Sequence, residues 1–230
     1  MDIKYAKIDE NRFAGEILPG EIENIKVYYR NLQEGEIFMS APHDNTYKVF
    51  ILASGEIEVN GNKMCNRGLC AFAPTDKVDI EAKAHSALLE LNLISEDAPA
   101  DSKLPYFINY ADAHTYKEDC KSEKTVSRML LEPRIVPNLA VGSVETYDKD
   151  RVDAHEHPDV EQMFFGFSEN DMHLKINGEL FYMGGNTLVH IPLASSHGVE
   201  VAAGGCAHYV WIDYIINERG LEYMDSAHEM

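Results

Sequence analysis

The stretch "HLKINGELFYMGGNTLVHIPLASSHGVEV" (His173–Val201) decides the fold. Asn177 and Gly178 separate two short runs rich in apolar residues, and both residue types accept the positive φ of a two-residue hairpin turn. Two glycines then precede another apolar run, which ends at Pro192. The stretch therefore predicts a β-hairpin, a turn and a further strand.

The same order of signals occurs earlier, in "EIEVNGNKMCNRGLCAFAPTDKVDIEA" (Glu56–Ala82). Here the hairpin turn is Asn60-Gly61, and the apolar run ends at Pro74. One pattern repeated in two halves of a chain indicates duplication. We therefore expect two similar β-domains in tandem, spanning residues 1–100 and 125–230. Residues 101–124 have the polar and proline-containing composition of a connector.

The rest of the chain also favours strands over helices. Short runs of β-branched and aromatic residues, bounded by turn residues, predict an all-β sandwich or barrel. These runs include "IKVYYR", "TYKVFIL", "ALLELNLI" and "AHYVWIDYII". Helical periodicity is weak, and its best candidate is Asp112–Lys124.

Composition limits the function classes. The 230 residues carry 39 acidic and 20 basic side chains, a net charge of -19. So acidic a surface repels nucleic-acid phosphates and anionic lipids, which argues against nucleic-acid and membrane partners. No apolar run approaches the roughly 18 residues of a membrane span. The start, "MDIKYAKIDENRF", does not resemble a secretory signal, and the four cysteines lack CxxC spacing, so we expect a cytoplasmic protein with reduced thiols.

The segment "HEHPDVEQ" (His155–Gln162) holds the candidate functional residues. On a strand, His155 and His157 lie on one face. Pro158 and Asp159 are expected to break that strand. Glu161 begins the next apolar run and would share a face with Met163 and Phe165. An antiparallel return after Pro192 would bring His197 beside the first three candidates.

Three imidazoles and one carboxylate suit a divalent transition metal such as Fe, Mn, Zn, Ni or Cu. The predicted ligands are His155, His157, Glu161 and His197. Four protein ligands leave up to two open positions on a six-coordinate ion, and the remaining positive charge favours an anionic oxygen ligand. Met163 and Phe165 are candidates for the cavity wall, and so is His190, although core packing explains all three equally well.

These residues resemble the cupin metal motifs: His-x-His, three or four residues, Glu, and later Pro-x-Gly-x-x-His. The repeat resembles a two-domain bicupin. The resemblance implies two jelly-roll barrels, with a metal inside the second. Several glycines of the motifs are replaced, by Lys149, Ser168, Asn186 and Ala194. These are backbone positions, so the replacements bear on loop shape rather than on ligand identity.

The first half lacks the ligand pattern. Its equivalent stretch, "SAPHDNTYKVFIL", has His43 but no His-x-His, and Lys48 lies near the position of the glutamate. No histidine follows Pro74 in "TDKVDIE". We expect this degenerate domain to support the other domain or the subunit interface of a homodimer.

The resemblance implies a metal-dependent enzyme that acts on a small, anionic, oxygen-rich molecule. Fe, Ni or Cu would favour oxygenase chemistry, and Mn or Zn would favour an isomerase, decarboxylase or lyase. The alternative is a non-catalytic binding or sensory module in which the metal holds a ligand. A sugar isomerase or epimerase is a weaker third interpretation, because no sugar-binding motif supports it.

Overall fold

The structure is a computed structural model that describes residues 3–9, 15–99 and 103–227. The chain forms two compact units. The N-terminal unit contains the described residues within 8–113 and 134–137, and the C-terminal unit contains those within 1–7, 114–133 and 138–230. The strands of the described residues are β1 Tyr5–Lys7, β2 Glu16–Ile17, β3 Ile25–Leu32, β4 Ile37–Ser40, β5 Thr46–Ser54, β6 Glu56–Val59, β7 Asn62–Cys65, β8 Leu69–Phe72, β9 Val78–Ala82, β10 Ser86–Ile94, β11 Tyr106–Ile108, β12 Thr115–Tyr116, β13 Val126–Val136, β14 Leu139–Tyr147, β15 Asp150–His155, β16 Val160–Gly166, β17 Asp171–Ile176, β18 Glu179–Gly184, β19 Thr187–Ile191, β20 His197–Val201 and β21 Cys206–Ile215.

Both predicted hairpins are present, and their turns have the expected conformation. Asn60 and Gly61 have φ of 47° and 82° between β6 and β7, and Asn177 and Gly178 have φ of 49° and 86° between β17 and β18. The positive φ at both central residues matches the right-handed twist of the flanking strands. The all-β prediction is confirmed, since nearly all regular structure in the described residues is antiparallel strand.

Each unit is a sandwich of jelly-roll type. The N-terminal unit has a sheet in the order β11-β8-β5-β10-β3-β2 and a second in the order β4-β9-β6-β7. In the C-terminal unit, the path β1-β19-β16-β21-β14-β13-β12 faces strands β15, β20, β17 and β18. Buried apolar side chains from both sheets of each unit form its core. Among the described residues no sheet closes on itself, so apolar packing rather than a continuous hydrogen-bond ring holds the predicted barrels together.

The predicted domain boundaries need correction. Strand β1 pairs with β19 of the C-terminal unit, so the chain's start does not belong with residues 8–100. The predicted connector 101–124 is divided, because β11 adds to β8 of the N-terminal unit while β12 pairs with β13. Its first two residues lie outside the described residues. These short segments pair with sheet edges of the two units that would otherwise be unpaired, and composition alone does not reveal such pairing.

The helix prediction for Asp112–Lys124 is wrong. That stretch holds only the end of a short 3-10 helix (Tyr110–Asp112) and strand β12. The α-helix of the described residues is α1, Glu218–Ala227. Its first turn is capped by Asn217, whose Oδ1 accepts hydrogen bonds from the backbone N–H groups of Arg219 and Gly220. No helix in the described part of the chain is both long and apolar enough to cross a membrane.

The segment before β13 is held against the C-terminal unit. The carboxylate of Asp150, at the start of β15, accepts hydrogen bonds from the hydroxyls of Ser122, Thr125 and Thr146. Burial alone would raise the pKa of Asp150, but these hydroxyl donors outweigh it and the pKa lies below its usual value. Because β15 carries one of the candidate ligands, these contacts also place residues 117–122 near that ligand.

Candidate metal centre

Three predicted ligands converge. His155, His157 and His197 each place a ring nitrogen so that the three atoms lie within 4.8 Å of one another. The ring centroids of His155 and His197 are 4.6 Å apart, and those of His157 and His197 are 5.1 Å apart. No other group of three or more His, Cys, Asp or Glu side chains converges in this way among the described residues.

Strand pairing produces this convergence. His155 ends β15 and pairs directly with His197, which begins β20. The register shifts between Val152 and His155, as in a β-bulge, which re-aims the end of the strand. Gly198 permits the close approach, since a Cβ there would lie 2.8 Å from the backbone oxygen of Val152. A residue with no side chain is therefore required beside the third histidine.

Backbone carbonyls orient two of the rings. Nδ1 of His155 lies 2.8 Å from the carbonyl oxygen of Asp153, and Nδ1 of His197 lies 3.1 Å from that of Ser195. A carbonyl only accepts, so both Nδ1 atoms carry the proton and both Nε2 atoms present a lone pair. Nε2 of His197 is buried and has no hydrogen-bond partner among the described residues. A buried acceptor of this kind fits a metal ligand.

The protonation state of His197 also suits ligation. Burial, followed by the charge of nearby His155, lowers the pKa of His197 to about 4. The ring is therefore neutral at pH 7, which is the form that binds metals. The ring of Phe164 packs edge-on against the ring of His197, with the two ring centroids 5.7 Å apart, and contributes to the burial of His197.

The structure does not bring Glu161 to the cluster. Val160 and Phe164 belong to the core between the sheets, so alternation along β16 turns Gln162 inward and Glu161 outward. Gln162, which is 4% exposed, lines the cavity beside the three histidines. The sequence-based assignment of faces on this strand is thus off by one residue, because the strand begins after a turn in which Asp159 has φ of 56°.

The three residues predicted for the cavity wall also lie outside the cavity. Met163 and Phe165 are buried, but on the outward face of β16 with Glu161. His190 pairs opposite Met163 in β19 and shares that face. None of the three lines the cavity, whose described wall contains Phe164, Tyr209 and other side chains.

An acidic residue missed in the sequence fixes the amide of Gln162. Asp213 lies opposite Gln162 in the register of β16 and β21 and is 2% exposed. It accepts a 2.8 Å hydrogen bond from the Nε2 atom of Gln162. Because the NH₂ group of Gln162 donates to Asp213, the Oε1 atom of the same amide points away from Asp213. One carboxylate inside the apolar run "AHYVWIDYII" was the available signal, since acidic residues are seldom buried without a partner.

The cluster separates an inner cavity from an outer cleft. The inner cavity, about 30 Å³, has room for about two water molecules and lies between the two sheets. The outer cleft, about 370 Å³, is bordered by residues 117–120 and by α1. Of the residues that the structure describes, three line both spaces: Glu118, His155 and His157. A small molecule in the cleft therefore reaches the imidazoles directly.

The N-terminal unit has a lysine near the equivalent position. Lys48 is 3% exposed, and its Nζ donates to the carbonyl oxygen of Ala41. Burial lowers the pKa of Lys48, while the carboxylates of Glu90 and Asp76 act in the opposite direction. Glu90 in turn pairs with Arg30. The N-terminal unit therefore holds a fixed lysine side chain on a strand comparable to the one that carries the candidate ligand in the other unit.

Comparison with known proteins establishes the fold. No family model matches the sequence, and no curated protein matches it. Among solved structures, a cupin 2 conserved barrel domain protein from Leptotrichia buccalis is 16% identical with a TM-score of 0.61, over 94% of this chain and 98% of that one. A glyoxylate-induced protein from Pseudomonas aeruginosa is 13% identical with a TM-score of 0.72, over 94% and 80%.

Oxalate decarboxylase from Lactobacillus farciminis, in a formate complex, is 9% identical with a TM-score of 0.69, over 86% of this chain and 78% of that one. The coverage spans both units of the chain. The protein therefore has the two-domain cupin fold predicted from the repeat and from His155–Gln162.

Proposed function

We propose that this protein is a metal-dependent enzyme acting on a small, anionic, oxygen-rich molecule. The observation that carries the proposal is the convergence of His155, His157 and His197 within 4.8 Å in a water-accessible cleft. Imidazole nitrogens at this spacing suit a divalent transition metal such as Fe, Mn, Zn, Ni or Cu.

Gln162 is the proposed fourth ligand, in place of the predicted Glu161. Its Oε1 is directed away from Asp213 by the hydrogen bond that its Nε2 donates. With three neutral imidazoles and a neutral amide, a divalent ion keeps both of its charges, instead of the single charge that a glutamate ligand would leave. Asp213 balances part of that charge through Gln162. A dication surrounded by neutral ligands strongly favours an anionic substrate.

The ion would supply Lewis-acid polarisation of a substrate oxygen. The protein's own groups bind, orient and shield. The carbonyls of Asp153 and Ser195 hold two imidazoles in place, and Phe164 and Tyr209 wall the inner cavity against water. The outer cleft admits a molecule of a few carbon atoms. Two of the similar structures are named for oxalate and glyoxylate, which are small carboxylates of this size.

The bound ion is expected to select the reaction class. Fe, Ni or Cu would favour an oxygenase, whereas Mn or Zn would favour a decarboxylase, isomerase or lyase. Elemental analysis of protein purified without a metal-chelating tag identifies the ion. Oxygen uptake and product analysis with oxalate, 2-oxo acids, diketones and catechols then test the reaction.

Matched variants test the ligands. We expect His157→Ala to abolish metal retention and turnover, and Gln162→Leu to weaken metal binding by at least about 10- to 100-fold, the range for loss of a group that only supports a ligand. Glu161→Gln is the control and should leave metal binding unchanged. Turnover that survives complete removal of the metal contradicts the proposal. A small molecule that binds tightly and is recovered unaltered indicates instead a binding or sensory module.

A further inference from the structure

A charged pair lies in the wall of the candidate site. Glu118 and Lys121 form an ion pair one turn of chain apart, and their side chains are only 15% and 7% exposed. Both line the inner cavity, and Glu118 also lines the outer cleft. Removing two charges from water is costly, so the pair is weak evidence for stability. Its place in the cavity wall puts it within reach of a ligand at the histidines.

Lys121 is held in place by neighbours other than Glu118. Its Nζ donates to Oγ of Ser127 at 3.0 Å and lies 5.5 Å from the ring centroid of Tyr116. Its backbone forms a β-bridge with Val152 in β15, the strand that ends at His155. The ammonium group therefore keeps its position if the carboxylate of Glu118 moves away.

Lys121 is the only lysine or arginine among the described residues that line the inner cavity. The three imidazoles next to it offer ring nitrogens that converge on one another, and Asp213 accepts a hydrogen bond from Gln162. The contact that Glu118 makes with Lys121 is one that a ligand carboxylate would make equally well. Glu118 can also withdraw into the outer cleft, which it borders.

We propose that Lys121 is the carboxylate-binding residue of this site and that Glu118 occupies its place until a substrate carboxylate displaces it. The substrate is then a small carboxylate with a second oxygen directed at the histidines. The inference rests on the proposed function only in assuming a metal at the histidines. The exchange of one carboxylate for another at Lys121 does not itself require an ion.

The pair makes opposite predictions for its two members. Glu118→Gln removes the competing charge while keeping the side-chain shape, so oxalate should bind about tenfold more tightly. Lys121→Met removes the cation and should weaken oxalate binding at least tenfold. The matched controls Lys124→Met and Glu123→Gln lie in the same segment but line neither the inner cavity nor the outer cleft, and they should leave the affinity within twofold. A purely structural ion pair predicts lower stability for both site variants and no rise in affinity for either.

The experiment is titration calorimetry with oxalate, on metal-free protein and on protein loaded with Co²⁺, whose visible spectrum reports occupancy of the histidines. Failure of Co²⁺ to bind contradicts the proposed function but leaves the metal-free titrations as the test of Lys121. Unchanged or weaker oxalate binding by Glu118→Gln overturns the inference. So does the absence of oxalate binding to the parent and to Glu118→Gln in both forms. If Lys121→Met does not fold, Lys121→Gln replaces it.

Discussion

Substitution of Gly198 tests the geometry of the metal centre from outside the ligand set. An alanine Cβ there would lie 2.8 Å from the oxygen of Val152 and 3.1 Å from the backbone nitrogen of Ala154. All of these contacts are backbone atoms of the chain leading to His155, so no flexible side chain can yield. The end of β15 must move about 0.6 Å to restore ordinary contact, since such contacts begin at 3.4 Å.

That displacement matters because metal–ligand distances tolerate only about 0.2 Å. Gly198→Ala should therefore weaken Co²⁺ or Zn²⁺ binding about 10- to 100-fold, with about 1–3 kcal/mol of overpacking cost to the metal-free protein. Competition with a chromogenic chelator measures the affinity, and urea unfolding measures the stability.

Gly184→Ala is the matched control. It is also a glycine in the C-terminal unit, but its new Cβ would meet the side chain of Tyr182 at 3.2 Å, and that side chain is 56% exposed and can move. The control should bind metal like the parent protein. If Gly198→Ala folds and binds metal with parental affinity, the close approach of β15 and β20 at Gly198 does not position His155 and His197.

Three further changes have expected outcomes. Ala194 has φ of 55°, a conformation costly for a residue with a Cβ, so Ala194→Gly should raise the free energy of unfolding by about 1 kcal/mol in urea titrations. The pKa of His197 falls from 6.5 in the unfolded chain to about 4 in the folded protein. The contribution of its neutral ring to the free energy of unfolding is therefore complete above pH 6.5 and is lost as the pH falls towards 4. Metal-free protein should accordingly lose about 3 kcal/mol more between pH 7 and pH 4 than His197→Gln does, and equal losses would contradict the burial of this ring. Asp150→Asn removes the charged acceptor of three hydroxyls and should lower the free energy of unfolding by about 1–3 kcal/mol at pH 7, whereas a change below 0.5 kcal/mol would show that these contacts are not stabilising.

Much of the architecture was readable in the sequence because its signals are local. The turns at Asn60-Gly61 and Asn177-Gly178 depend on the backbone preferences of their own residues, and the strands around them follow from β-branched and aromatic runs. His155 and His157 share a face because they are two residues apart. The return of His197 follows from one antiparallel hairpin.

The residue at the fourth position of the metal centre could not be predicted from local sequence. Whether Glu161 or Gln162 faces inward depends on where β16 begins after the turn at Asp159, and a shift of one residue reverses every side chain of a strand. The packing of Val160 and Phe164 in the core settles that choice, and the register with β21 then places Asp213 against Gln162.

The sequence by itself thus determined that this chain is built of strands, that its two halves repeat, and which three imidazoles are candidate ligands, because turn chemistry and residue spacing act over a few positions. Only the tertiary structure decided which unit the short segments at 5–7 and 115–116 join, that Gln162 rather than Glu161 lines the cavity, and that Lys121 and Glu118 lie in its wall. Those outcomes depend on sheet edges, strand register and burial, which arise from contacts between residues far apart in the chain.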